Sequence, residues 1–149
     1  MNWFPILLVI HVALAVSLLA PSVLLPFLLR RQAAGAPLSG AIHGLMVMQG
    51  TGSVVIGIGL AVTGTGLVIS LGAEILAKPW LLVALSIYAL NLLLAAFISR
   101  PGLRRLIGLA NADADVWGRQ ATRVRYTAYA MAAATLLIGF LMSTKPALW

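Results

Sequence analysis

His11 is the residue of this chain best placed for chemistry inside an apolar span, because imidazole can bind a metal or take up a proton near neutrality. Counting inward from the nearest boundary residue, His11 lies eight positions beyond Trp3 and Tyr88 eight beyond Trp80. Asn91 lies eleven beyond Trp80, Thr65 nine before Glu74 and Thr135 ten before Lys145. At 1.5 Å of helical rise per residue, all of them reach a depth of roughly 12–16 Å. Two readings of this polar layer follow. It is a mutually satisfied hydrogen-bond network that sets the register of a bundle, or it is a site with His11 as ligand or proton acceptor and Tyr88, Asn91 and Thr65 around it. His43 belongs elsewhere. It follows Ser39, a candidate helix N-cap, and differs from His11 in depth by roughly 20 Å on the same rise, so one heme cannot join the two.

Other chemistries lack residues. The chain has no cysteine, which removes disulfides, thiolate metal sites and redox thiols. No phosphate-binding glycine loop, nucleophile elbow or HExxH helix occurs, and no carboxylate stands in an apolar run. Hydrolysis and phosphoryl transfer therefore have no candidates.

The elements that must position the layer are legible in the hydropathy. The chain is 62% apolar and only 9% charged, far from the soluble average of about 25% charged. Helices are expected at about 6–29, 43–71, 80–99 and 122–143, each long enough to cross a hydrocarbon core. With connections this short, they form one all-α domain over residues 1–149, a four-transmembrane-helix bundle. The second helix carries two glycine rows, Gly50, Gly57 and Gly64, and Gly52, Gly59 and Gly66. A seven-residue repeat makes each row nearly vertical, and the rows lie about 200° apart. Such thin faces suit a central helix wedged between two neighbours, or a flat ligand such as a porphyrin or a quinone ring.

All eight arginines fall at Arg30 and Arg31 or between Arg100 and Arg125. The segments 30–40 and 100–125, which contain the expected connections 30–40 and 100–121, thus hold eight basic residues against Asp113 and Asp115, whereas the opposite side has Lys78 and Lys145 against Glu74. The positive-inside rule makes those two connections cytoplasmic loops and places both termini outside. Trp3, Trp80 and Trp149 then sit at the outer boundary and Trp117 in an inner loop. A cleaved secretory signal is the competing reading of residues 1–30, but no positive n-region or small-residue cleavage motif accompanies the apolar run. The net charge of +7 reports topology, so the expected partner is the bilayer with its anionic headgroups, not nucleic acid. The basic amphipathic piece 103–109 reads as an anchor on that surface or as a docking site for a partner.

Several short motifs carry a resemblance. Leu8, Val9, Ile10, His11 and Val12 open the chain, and Lys78, Pro79, Trp80, Leu81 and Leu82 lead to Tyr88. Arg100 and Pro101 form an exit, and a closing run reaches Lys145 and Pro146. Together these resemble an uncharacterised family of predicted four-helix bacterial integral membrane proteins, a domain of unknown function, along essentially the whole chain. That family is distantly similar to the HemJ-type protoporphyrinogen oxidases. The resemblance implies a multi-pass protein of the bacterial inner membrane and a heme b ligated by His11, the position that matches the heme-associated histidine. Met142 is then the sulfur within reach as a weak sixth ligand. The oxidase family's third-helix lysine falls on Ala84, and its acidic Asn-Glu pair has no counterpart near residues 123–125. The expected function is accordingly heme-associated redox or porphyrin handling. The alternative is a non-catalytic accessory subunit of a larger membrane complex, respiratory or photosynthetic, or a homo-oligomer.

Overall fold

A computed structural model describes residues 3–33, 36–109 and 111–146, and every regular element among them is helical. Four long helices follow in order: α1 (Phe4–Arg31), α2 (Gly40–Leu71), α3 (Pro79–Gly108) and α4 (Ala114–Thr144). Each is long and apolar enough to cross a membrane. Ser39 caps α2 as expected, its hydroxyl accepting a hydrogen bond from Ile42 N at 3.3 Å. Gly72 ends α2 with φ at 93°, a conformation that L side chains rarely adopt, and Pro79 starts α3 where a missing N–H costs nothing.

Two expected boundaries move. Residues 100–121 are not a loop: α3 runs on to Gly108 and α4 already begins at Ala114. The proline that signals an exit is absorbed because α3 widens into a π turn over Ala95–Ser99, immediately before Pro101. The wider turn accommodates the ring and the hydrogen bond that Pro101 cannot make. The α2 start likewise precedes residue 43, and α2 has its own π turn over Met48–Gly52.

The helices form a ring. α1 packs along both α2 and α4, α3 packs along α4, and α2 meets α3 chiefly through the two π turns and the arginine-bearing end of α3. Thus α2 is one side of the ring and not a central helix. The main apolar core lies at the arginine-bearing end, where Leu25 and Leu29 of α1, Met46 of α2, Leu103 and Leu106 of α3 and Trp117, Ala121 and Val124 of α4 are buried together. This corrects the reading of 103–109 as a lipid anchor and of Trp117 as a loop residue. Leu103 and Leu106 turn inward while Arg104 and Arg105 stay exposed, the division expected of an amphipathic helical turn. Trp3 and Trp80 begin α1 and α3 at the opposite end, and Trp149 lies outside the described residues.

Candidate functional site

Gln49 is the most deeply placed polar side chain, with no exposed surface. It projects from the π turn of α2. Ser22 of α1 donates to its Oε1 at 3.0 Å, and its Nε2 donates to the Met131 sulfur of α4 at 3.4 Å. The Ser53 hydroxyl donates to the Gln49 carbonyl oxygen. One amide therefore joins three helices. Unpaired, it would carry a desolvation cost of a few kcal/mol, and paired it specifies the register of α1, α2 and α4. Expectation from sequence passed over Gln49 because it lies toward the arginine-bearing end of its helix, below the layer defined by His11. Its signal was an amide inside an otherwise apolar run.

Tyr88 and Asn91 come together a turn further along the bundle. They line one cavity with Ser53, Gly57, Leu92, Ala95, Leu18 and Met131, so all four helices contribute to its wall. The cavity measures about 10 Å³, the room of a single water molecule. The Tyr88 hydroxyl donates to the Gly57 carbonyl oxygen across the α2–α3 boundary. Asn91, 6% exposed, donates from Nδ2 to Thr135 Oγ1 at 3.3 Å. Its Oδ1 has no protein donor.

His11 stands apart from this cavity. Its Nδ1 lies 2.8 Å from Thr63 Oγ1, and its Cε1 packs against Gly64. The Thr63 hydroxyl has one proton and also lies 2.9 Å from the Gly59 carbonyl oxygen. With that proton on Gly59 O, Thr63 Oγ1 accepts from Nδ1–H, and the neutral ring keeps its lone pair on Nε2. An orienting bond on one ring nitrogen is also what a histidine ligand requires of its surroundings. Of the other residues expected here, Thr65 is exposed and returns its hydroxyl to Ala61 O of its own helix at 2.8 Å. Met142 is half-buried near the end of α4 and does not line the cavity. His43 is exposed at the start of α2. Among the described residues no three metal-ligating side chains of the His, Cys, Asp and Glu types converge.

The glycine rows decide whether a macrocycle has a place between the helices. A Cβ at Gly57 would lie 2.7 Å from Leu92 Cδ1, and Gly50 faces Leu103 and the backbone of Arg100, so this row receives α3. Gly59 and Gly66 face Leu14 and Leu7, and Gly64 faces the His11 ring, all on α1. Every one of these thin faces is filled by a neighbouring side chain. His11 offers one nitrogen donor, but a heme b does not fit between the helices as they pack.

No protein-family model, curated protein or solved structure matches this chain.

Proposed function

We propose that the protein is a multi-pass integral membrane protein with both termini on the outer side, acting as a non-catalytic accessory subunit of a larger complex of a bacterial inner membrane. A respiratory or photosynthetic complex is the class of assembly meant. The observation that carries this reading is that the buried polar side chains of the four apolar spans tie one helix to another. Gln49 joins α1, α2 and α4, Asn91 joins α3 to Thr135 of α4, Tyr88 joins α3 to α2, and His11 joins α1 to Thr63 of α2. Groups engaged in holding helices together are not displayed to a substrate. What faces outward is mainly apolar, with Val55, Ile58, Val62 and Ile69 of α2 and Leu90, Leu93 and Phe97 of α3 exposed for acyl chains or other transmembrane helices.

Purification from its native membrane in mild detergent, followed by subunit analysis, tests the proposal. The expected result is stoichiometric recovery with larger membrane subunits. A protein that elutes alone or only with its own copies defeats the accessory reading.

The second reading, a heme-associated protein ligated by His11, is favoured by one observation, the Thr63 contact that orients the ring and leaves Nε2 available. A Soret band that disappears in His11→Ala is the result that would establish it.

A further inference from the structure

We infer that the groove between the end of α3 and the first turns of α4 is a binding site for the phosphate group of an anionic lipid. This rests on the proposal that the chain spans a bilayer with its arginines toward the cytoplasm. The groove encloses about 260 Å³ and is lined by Leu109 after α3 and by Val116, Arg119, Gln120 and Arg123 of α4. Arg119 and Arg123 stand one helical turn apart, a spacing at which like charges repel. Neither Asp113 nor Asp115, the nearest acids in sequence, lines the groove. An anion between the two guanidinium groups removes that repulsion, and each guanidinium can give a phosphate paired N–H donors.

The framework is braced. Gln120 Nε2 donates to the Gly102 carbonyl oxygen at 3.0 Å, tying the floor of the groove to α3. The apolar wall of Leu109 and Val116 distinguishes the occupant: a free phosphate gains nothing from it, whereas the glycerol and first methylenes of a lipid lie against it. The groove opens where the apolar spans give way to arginines, the depth at which headgroups lie.

The test uses the full chain reconstituted in vesicles of phosphatidylcholine containing spin-labelled phosphatidylglycerol or spin-labelled phosphatidylcholine, with the relative association of the two lipids read from the motionally restricted fraction. The native protein should prefer phosphatidylglycerol. Arg119→Gln and Arg123→Gln should each reduce that preference about fivefold, and the double variant roughly twenty- to thirtyfold, as follows from ~1 kcal/mol per basic residue near the surface. Arg30→Gln with Arg31→Gln should reduce it less than the double variant at Arg119 and Arg123, because those residues share the surface attraction but lie off the groove. A preference unchanged in Arg119→Gln and in Arg123→Gln, or lost equally on changing Arg30 and Arg31, overturns the site. So does displacement of the lipid by inorganic phosphate at comparable concentration, which would make the occupant a soluble anion. Resistance of the protein to alkaline extraction is measured alongside: a chain that extracts has failed the bilayer proposal itself, and one that resists extraction without lipid preference has failed only the site.

Discussion

The Thr63 hydroxyl has one proton and three polar neighbours, the Gly59 and Leu60 carbonyl oxygens and His11 Nδ1. If that proton goes to a carbonyl, a neutral His11 carries its own proton at Nδ1, and ¹⁵N spectra of the labelled protein in lipid should show Nε2 as the unprotonated nitrogen. The reverse tautomer would mean that Thr63 donates to the ring. The same pair should couple by about 0.6 kcal/mol in a His11→Ala, Thr63→Ala double-mutant cycle of unfolding in micelles, the average for hydrogen bonds between transmembrane helices. Zero coupling would remove His11 from the network. Depth along a helix was legible in the sequence, and azimuth was not. Asn91 and Thr135 share a layer and do meet, whereas Thr65, chosen for its depth, points outward. Thr63 stands two residues away and therefore about 200° round the helix, where it reaches His11.

At the level of the element, the two-residue offset between the glycine rows of α2 turns Gly50 and Gly57 toward α3 and Gly59 and Gly66 toward α1, while Gly64 drifts round to the His11 ring of α1. That two faces meet two neighbours could be read from spacing, but which neighbours, and the turn of Gly64 toward α1, could not. The ring order of the helices could not, since it depends on which apolar faces interlock. Gly57→Ala should be nearly neutral, because the conflict at 2.7 Å involves the terminal methyl of Leu92, which can rotate away. Gly57→Leu should cost about 1–3 kcal/mol, as overpacking does, because its branch would meet Leu92 and Tyr88 together. Thermal unfolding followed by circular dichroism distinguishes them, and equal stability of both variants would contradict the packing of α2 on α3. The exit expected at Arg100 and Pro101 failed for a local reason. Proline usually ends or kinks a helix, but the π turn over Ala95–Ser99 lets α3 continue, and a π turn leaves no mark in hydropathy.

Across the whole molecule, charge and apolar length made the four spans legible, while the tight core at the arginine-bearing end was hidden in a segment that composition assigned to a loop. Arginines 104 and 105 mask Leu103 and Leu106, and only helical phase shows that the leucines face inward. Because the chain has no cysteine, single introduced thiols report topology cleanly. Asn111→Cys between α3 and α4 should react only after the membrane is opened, and Glu74→Cys between α2 and α3 should react in intact cells. The opposite pattern would invert the bundle. If the intramembrane polar groups serve the bundle, the protein expressed with added heme precursor and purified should show no Soret band, and His11→Ala should lower its unfolding temperature. A Soret band present in the native protein and lost in His11→Ala, with stability unchanged, would contradict that account and make His11 a cofactor ligand.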